Sequence, residues 1–382
     1  MERAHGDGPR RGGILIAGGG TAGHVLPGLA VAAALVERGV VADRSDVHLV
    51  GSRRGVEVEL VPGAGFGLTV LGGRGIQRRL TPANVGALMG LLAGFLRAFL
   101  LMVRARPRVV LSLGGYASIP CGLAAVVLRV PLVVAEQNAV PGAANRLLGR
   151  FARASAVSFV DTALPRPELT GNPVRAAIRS AVGTRSEARA RIGVDDRPLL
   201  VAFGGSLGAR RINRAVADFV EGWRGGPLAV RHVVGARGWA AGEMATAVPA
   251  GVGYTAVAYE HDMPTLLAAA DLVVCRSGAT SVAELAVLGV PSVLVPLPGA
   301  PGDHQTANAR HLAGSGGAVL LADADLDGSA LEDLLGEILS DPPRRDAMAE
   351  AARSMARPDA ADRVVDLILR HAAGRCDDVR DA

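Results

Sequence analysis

Residues 14–27 read ILIAGGGTAGHVLP, and this stretch decides the fold class. Ile14–Ala17 form an apolar run typical of a short buried strand, and Pro27–Val36 look like the start of a helix. The glycines between them, at positions 18, 20 and 23, have the spacing G-x-G-x-x-G. Because a tight turn before a helix N-terminus presents backbone amides, the stretch predicts an anion site.

The same pattern recurs in the second half of the chain, where Leu199–Phe203 precede the glycines at 204, 205 and 208. Strand-like runs alternate with helical stretches after each turn, which predicts parallel sheets with crossover helices. These runs are DVHLVG, FGLTVLGG, RVVLSLGG and PLVVAEQN in the first half, and LAVRHVVG, ADLVVCRSG, PSVLVPL and GGAVLLA in the second. We therefore expect an α/β protein with two doubly wound, Rossmann-like domains that face each other across a cleft.

The segment LTGNPVRAA contains Gly171 and Pro173, which break regular structure, and predicts the domain boundary. We expect an N-terminal domain at residues 1–171 and a C-terminal domain at 172–356. Two helices are predicted near the end, Arg344–Ala356 and Ala360–Arg370. Residues 357–382 are expected to cross back onto the first domain.

Composition excludes several classes of protein. The 382 residues include 41 basic and 36 acidic side chains, a net charge of +5, and every basic residue is Arg. Without Lys, a Schiff base, a pyridoxal-phosphate site and a Walker-type P-loop are excluded. Aromatic residues make up only 3%, and no basic recognition helix stands out, so nucleic acid is not an expected partner. An anionic substrate or an anionic membrane surface explains the charge better.

Two further features concern the cellular location. Cys121, Cys275 and Cys376 lie far apart and fit no metal-binding spacing, so reduced thiols in a cytosolic compartment are expected. The first residues, MERAHGDGPRRGG, lack the apolar core of a signal peptide and predict a flexible leader.

The first glycine turn alone does not establish a nicotinamide cofactor. A dinucleotide site needs an acidic residue at the end of the second strand, where this chain has Gly51, Ser52, Arg53 and Arg54. Arginine could accept the 2′-phosphate of NADP, but nothing further along the chain supports hydride chemistry. The nicotinamide interpretation is therefore disfavoured.

The string CRSGATSVAELAVLGVPSVLVP, from Cys275 onward, resembles the nucleotide-sugar site of GT-B glycosyltransferases. More narrowly, the chain resembles the MurG family, which transfers N-acetylglucosamine from UDP-N-acetylglucosamine to undecaprenyl-pyrophosphoryl-N-acetylmuramoyl-pentapeptide. Seven motifs in the family's order carry the resemblance: GGGTAGHVLPGLAVA, SLGGYASIPCGLAA, EQNAVPGAANR, GNPVR, FGGSLGARRIN, RSGATSVAE and DHQTANA. A UDP-N-acetylglucosamine 2-epimerase of the same fold and a non-catalytic sugar-nucleotide-binding scaffold are the alternatives.

The resemblance implies a role for residues in each motif. Donor-binding residues would be Thr21, Ala22, Gly23, Asn138, Arg175, Ser206, Gln305 and the run Ala279, Thr280, Ser281, Val282, Ala283 and Glu284. Gly114, Gly115 and Tyr116 would hold the pyrophosphate of the acceptor. The family also implies peripheral attachment to the cytoplasmic face of the cell membrane and contacts with cell-division and wall-synthesis proteins.

Two residues are candidates for the general base that accepts the proton of the attacking hydroxyl. His24 is a natural choice because a free imidazole titrates near neutral pH, and Glu136 is the second candidate. Neither a metal nor another cofactor is expected. The acidic segment DADLDG, residues 323–328, is predicted to cap a helix, with its Asp residues and Ser329 as the capping groups.

The apolar run Val85–Val103 is nearly long enough to span a bilayer. It connects two predicted strands of one sheet, and Arg97 interrupts it, so a crossover helix is the better interpretation. A reversible membrane anchor is predicted for residues 74–108. Its apolar members are Ile76, Leu80 and the Val85–Val103 run, and its basic members are Arg74, Arg78, Arg79, Arg97, Arg104 and Arg106. The alternative is a helix wholly buried against the sheet.

Overall fold

The computed structural model describes residues 8–53, 55–72, 83–205 and 208–373. The chain divides into two compact units. The first unit comprises Met1–Arg175 and Arg357–Ala382, and the second comprises Ala176–Ala356. The first boundary between the two units therefore lies at the end of the GNPVR segment.

The strands of the described residues form one parallel sheet in each unit. In the first unit they are β1 Ile14–Gly18, β2 Val47–Ser52, β3 Gly67–Leu71, β4 Val109–Gly114, β5 Leu132–Glu136, β6 Ala154–Val157 and β7 Pro167–Leu169. In the second unit they are β8 Leu199–Phe203, β9 Leu228–Val233, β10 Val252–Val257, β11 Leu272–Cys275, β12 Ser292–Leu294 and β13 Ala318–Leu320.

Helices connect these strands. Up to the first unit boundary they are α1 Ala22–Glu37, α2 Glu57–Gly63, α3 Ala83–Ala105, α4 Ser118–Val127 and α5 Ala143–Leu148. The second unit contains α6 Ala176–Ser180, α7 Arg185–Ile192, α8 Arg210–Gly222, α9 Ala236–Ala240, α10 Met263–Ala269, α11 Ala279–Leu288, α12 His304–Gly314, α13 Gly328–Leu339 and α14 Pro342–Ser354. The last helix, α15 Ala360–Ala373, belongs to the first unit.

Strand order confirms the doubly wound prediction for each unit. The order is β3-β2-β1-β4-β5-β6-β7 in the first sheet and β10-β9-β8-β11-β12-β13 in the second. The order reverses between β1 and β4, and again between β8 and β11. Ligands of such sheets bind at the carboxyl ends of the strands that flank this reversal. The eight quoted runs all contain a strand, whereas β6, β7 and β10 were not predicted.

Alternating residues of β1 show why the first sheet is covered on both faces. Ile14 and Ile16 pack into a core with α1 and α15, while Leu15 and Ala17 pack into the opposite core with α3 and α4. In α15, Val364 and Ile368 are fully buried in the first of these cores. A parallel sheet that is buried on both faces needs such continuous apolar strands.

Helix α1 begins at Ala22, so its predicted start near Pro27 was wrong. The amides of His24 and Val25 donate to the carbonyl oxygen of Thr21 at 3.1 and 3.2 Å, which starts the helix immediately after the glycine turn. Pro27 lies in the second turn of α1, where it lacks the amide that would donate to the carbonyl oxygen of Gly23.

Helix α3 connects β3 to β4, as the crossover prediction requires. Along the described chain no helix combines the length and the hydropathy needed to cross a bilayer. One face of α3 is buried through Ala98, Met102 and Ala105. The opposite face exposes an apolar stripe, formed by Met89, Leu92, Leu96, Leu100 and Val103 at 44–61% exposure. The alternative of a wholly buried helix was therefore wrong. Residues 74–80 of the predicted anchor lie outside the described residues.

Candidate functional site

The predicted residues of the first unit lie at the carboxyl ends of three neighbouring strands. The glycine turn and His24 follow β1, the segment Gly114–Tyr116 begins at the last residue of β4, and Glu136 is the last residue of β5. Since β1, β4 and β5 are adjacent in the sheet, the fold brings these segments to one edge. This edge includes the reversal of strand order, where a ligand is expected.

His24 lies between two of these segments. Its Nδ1 atom is 3.2 Å from Oγ1 of Thr21, at the start of the same helix. Its Nε2 atom is 3.2 Å from the point that a Cβ atom at Gly114 would occupy. The imidazole is half-buried, as are Ala22 and Gly23, while Thr21 is exposed. The structure therefore brings residues 21–24 together with the loop after β4.

The loop after β4 needs glycine at two consecutive positions. Gly114 and Gly115 have φ values of 93° and 81°, a region that other residues rarely adopt. A Cβ atom at Gly115 would lie 2.4 Å from the carbonyl oxygen of Gly19, so this loop packs directly against the first glycine turn. The Tyr116 hydroxyl lies 2.9 Å from the carbonyl oxygens of Gly72 and Gly90. Its side chain thus contacts α3, and burial raises the pKa of its hydroxyl.

Glu136 is buried, and both oxygens of its carboxylate accept hydrogen bonds. Oε1 accepts from the backbone amide and the side-chain amide of Asn138, at 3.0 and 3.2 Å. Oε2 accepts from the backbone amide of Gly142 at 3.0 Å and from Nδ2 of Asn145 at 2.9 Å. Together these bonds hold the segment from Asn138 to Asn145 at the end of β5.

Glu57, at the start of α2, was missed by the sequence analysis. Its side chain is 1% exposed, and both carboxylate oxygens accept from the amide of Gly20, at 3.1 and 3.0 Å. Oε1 also accepts from the amide and the hydroxyl of Ser52, at 2.6 and 2.7 Å. The acid that follows β2 thus contacts the glycine turn itself. Two glycines that precede it, Gly51 and Gly55, leave room for its side chain, but they do not indicate the contact with Gly20.

In the second unit, the predicted donor motif forms the turn between β11 and α11. Gly278 is the N-cap of α11 and offers no side chain to the first amides of that helix. Ser277 is fully buried, and its hydroxyl donates to the carbonyl oxygen of Gln305 at 2.8 Å. Nδ2 of Asn308 donates to the Ser277 carbonyl at 3.1 Å. The turn is therefore fastened to α12.

Three polar or charged side chains lie in this turn or in the helix that follows it, and each could contact a ligand. The Oγ1 atom of Thr280, in the first turn of α11, is buried and finds no hydrogen-bond partner within the described parts of the chain. Glu284 is 6% exposed, which differs from a solvated helix glutamate. Nη1 of Arg276 donates to Oδ1 of Asp323 at 2.6 Å and to two backbone carbonyls.

The other predicted donor-binding residues of α11 differ in how deeply they are buried. Ala279 and Val282 are buried, whereas Ser281 and Ala283 are half-buried. Oε1 of Gln305, near the start of α12, accepts from the Leu297 amide at 2.9 Å. The structure thus brings α11 and Gln305 to the same end of the second sheet.

Two further residues, Arg175 and Ser206, were predicted to contact the donor. Arg175 is the last residue of the first unit and directly precedes α6, a helix that packs against α11. Ser206 lies outside the described residues.

The acidic segment after β13 serves the fold through two kinds of contact. Asp323 pairs with Arg276 and, at 3.4 Å, with Arg211. Asp327 is the N-cap of α13, where its Oδ1 accepts from the Ala330 amide at 2.9 Å. The predicted capping role is confirmed for Asp327, while Ser329 lies inside the helix.

Comparison with known proteins extends over both units. Residues 14–157 match the N-terminal domain of glycosyltransferase family 28, and residues 199–364 match the C-terminal domain of that family. A UDP-N-acetylglucosamine–N-acetylmuramyl-(pentapeptide) pyrophosphoryl-undecaprenol N-acetylglucosamine transferase from Desulforudis audaxviator is 40% identical over 370 residues. That match covers 93% of this chain and 97% of the relative.

Solved structures agree with the sequence comparison. MurG of Acinetobacter baumannii superposes with a TM-score of 0.74 at 30% identity, covering 95% of this chain and 100% of the other. The UDP-GlcNAc 2-epimerase of Neisseria meningitidis, solved with UDP-GlcNAc, gives a TM-score of 0.65 at 12% identity over 94% of this chain and 99% of the other. Such low identity shows a shared fold alone.

Proposed function

The chain belongs to the MurG family within glycosyltransferase family 28, and from this premise we propose that it transfers N-acetylglucosamine from UDP-N-acetylglucosamine to a lipid-linked acceptor. The acceptor is undecaprenyl-pyrophosphoryl-N-acetylmuramoyl-pentapeptide, and the product serves peptidoglycan synthesis. The observation that carries the proposal is the donor motif itself. In this chain it folds into an uncapped helix N-terminus with a buried carboxylate, Glu284, in the same helix.

The donor nucleotide is assigned to the second unit. Helix α11 directs its first amides and the positive end of its dipole toward the turn after β11, and this favours a phosphate. The buried hydroxyl of Thr280 supports the assignment, because a phosphate oxygen would supply the partner that it lacks in the described structure. Glu284 can accept hydrogen bonds from both ribose hydroxyls. Arg175, next to α6, is assigned to the pyrophosphate.

The acceptor and the general base are assigned to the first unit. The C4 hydroxyl of the muramoyl sugar attacks the anomeric carbon from the face opposite UDP, so the configuration inverts. His24 accepts the proton of this hydroxyl while the bond to UDP breaks. Glu136 is less suited to that role, because each of its oxygens already accepts two hydrogen bonds. The loop at Gly114–Tyr116 is assigned to the acceptor pyrophosphate.

Arginine, backbone amides and the helix dipole are assigned to stabilise the negative charge on the departing UDP, and no metal is required for this role. The acidic segment at Asp323 supports this view, since its carboxylate already pairs with Arg276 and Arg211. Any metal at the nucleotide would have to compete with these two guanidinium groups.

Attachment to the membrane surface is assigned to α3. Its exposed apolar stripe could enter the interface, and the exposed Arg97 and Arg104 of the same helix could contact anionic headgroups. Such a peripheral anchor would bring the first unit to its lipid-linked acceptor on the cytoplasmic face. Contacts with division and wall-synthesis proteins follow from the family alone.

One assay tests the proposed activity against the alternatives. The enzyme is incubated with UDP-N-acetylglucosamine, with and without the lipid-linked acceptor, and the products are identified by mass spectrometry. Acceptor-dependent release of UDP together with a disaccharide lipid supports the transferase. An epimerised sugar in the absence of acceptor would establish the isomerase, and an unchanged donor in both reactions would support the scaffold.

A further inference from the structure

Glu57 occupies the space beside the first glycine turn in a way that the G-x-G-x-x-G pattern does not predict. Three glycines surround its side chain, and a side chain at any of them would displace Glu57. Cβ atoms at Gly19, Gly51 and Gly55 would lie 2.2, 2.5 and 1.9 Å from atoms of the Glu57 side chain. The chain therefore builds a cradle of glycines for one of its own carboxylates.

Burial of the Glu57 carboxylate is unfavourable by itself, which suggests that its contacts have a function. A carboxylate that leaves water loses its hydration, and burial is unfavourable unless hydrogen bonds replace the lost water. Glu57 receives those bonds from Ser52 and from Gly20, and Gly20 donates its amide to both oxygens. In dinucleotide-binding proteins the amides of such a turn serve the pyrophosphate instead. Here an internal anion takes the Gly20 amide.

A short chain of contacts connects Glu57 to the proposed base. Gly20 has a φ of 94°, in the left-handed region, and Glu57 fixes the direction of its amide. The next residue, Thr21, is the N-cap of α1 and contacts Nδ1 of His24. Moving the Gly20 amide would therefore move the hydroxyl that orients the imidazole. The same shift would also disturb the loop at Gly115, which packs against Gly19.

We propose that Glu57 is a positioning residue for the transfer reaction, which holds the Gly20–Thr21 turn so that His24 keeps its orientation toward the loop at Gly114. This proposal rests on the proposed function, in which His24 is the base. Glu57 touches neither substrate, and its effect passes through the backbone of the turn. Its carboxylate fills the place of an external phosphate, which closes this part of the turn to nucleotides.

A double-mutant cycle tests the proposal with the full-length enzyme, both natural substrates and the variants Glu57→Gln, His24→Ala and their combination. Glutamine keeps the shape of the side chain, but its NH₂ group cannot accept from Gly20. We expect Glu57→Gln to lower kcat at least tenfold and to leave the KM for UDP-N-acetylglucosamine within twofold. In the His24→Ala background the same change should lower kcat by less than twofold, because coupled residues are not additive. Glu59→Gln, on the exposed face of α2, is the matched control and should behave as wild type.

The outcomes separate the two proposals. Losses that multiply in the double variant, or a Glu57→Gln enzyme with wild-type kcat, would overturn the positioning role alone. A His24→Ala enzyme with wild-type kcat would overturn both that role and the base assignment. If Glu57→Gln does not fold, Glu57→Ala is assayed with added acetate and with acetamide. Recovery of at least tenfold with acetate only supports the positioning role, and an equal response to both additives contradicts it.

Discussion

Nδ2 of Asn145 donates to Oε2 of Glu136 at 2.9 Å, and the same nitrogen lies 3.3 Å from the point that a Cβ atom at Gly114 would occupy. Nε2 of His24 lies 3.2 Å from that same point. The missing side chain of Gly114 thus leaves room for both His24 and the amide that Glu136 holds. This arrangement assigns different tasks to the two base candidates. Glu136 organises the segment after β5, and we propose that His24 accepts the proton.

Replacing His24 with alanine tests this division. We expect kcat to fall roughly 100-fold, the usual scale for loss of a general base. Donor affinity should change little, because the nucleotide is assigned to the other unit. Steady-state kinetics together with calorimetric titration of UDP-N-acetylglucosamine measure the two effects separately. A turnover within a few-fold of wild type would show that His24 has a structural role only.

Replacing Glu284 with glutamine should weaken donor binding by about 1.5–3 kcal/mol, or roughly 10–150-fold, because hydrogen bonds to a charged group are lost. Isothermal calorimetry with UDP-N-acetylglucosamine measures this effect directly. Glu350→Gln is the control, since that side chain lies on the exposed surface of α14. Equal donor affinity in the Glu284→Gln and wild-type proteins would exclude the assigned ribose contact.

Replacing Thr280 with valine should act in opposite directions on stability and on binding. Valine has the same shape but lacks the buried hydroxyl, whose missing partner costs about 1–3 kcal/mol, so the free energy of unfolding should rise. Donor affinity should fall, because a phosphate oxygen would lose its hydrogen bond. Chemical denaturation and calorimetry report the two quantities. A variant that is less stable, yet binds the donor as wild type does, would contradict the phosphate contact.

Changing Leu92, Leu96 and Leu100 together to serine should release the protein from anionic liposomes. These side chains are about half exposed, and burying the exposed part is worth about 1 kcal/mol each, or roughly 100-fold in partitioning for all three. Co-sedimentation with vesicles that contain phosphatidylglycerol measures the effect. Val182→Ser with Val248→Ser, two exposed apolar positions of the second unit, is the control. Unaltered co-sedimentation of the α3 variant would exclude the stripe as the anchor.

Lowering the pH should destabilise the second unit through His232. This side chain is fully buried, contacts Tyr254 and Asn213, and has a pKa that burial lowers to about 4. Above pH 6.5 the histidine is neutral in both the folded and the unfolded chain, so the full stability is present. Between pH 6.5 and about 4 only the unfolded chain gains the proton, which costs about 1.4 kcal/mol per pH unit.

Urea denaturation between pH 7.5 and 5 measures this dependence. In the variant His232→Gln, the free energy of unfolding should depend less steeply on pH. The variant His261→Gln, at an exposed position, should keep the pH dependence of the wild type. An unchanged slope in His232→Gln would mean that other groups cause the acid sensitivity. His48 in the first unit, whose pKa is also lowered to about 4 by burial, should add a similar contribution there.

The sequence by itself determined the features that depend on neighbours along the chain. Apolar runs followed by glycine turns predicted the strands that flank both reversals of strand order, since buried strands and tight turns are local properties. The Asp327 cap could also be predicted, because its partner is three residues away. The order of motifs in both halves also pointed to the family, because each motif consists of residues that are adjacent in the chain. The strands β6, β7 and β10 escaped prediction because none of them is a continuous apolar run: their sequences are ASAV, PEL and VGYTAV.

Only the tertiary structure decided which charges are available and which are already used. Glu57 meets Gly20 across 37 positions of sequence, so no local pattern revealed that the first glycine turn holds an internal carboxylate. Likewise, the exposure of the α3 stripe depends on which face α4 and the sheet cover. Hydrogen bonding and burial are properties of distances in space, and only folding brings such distant residues within the 3 Å that a hydrogen bond requires.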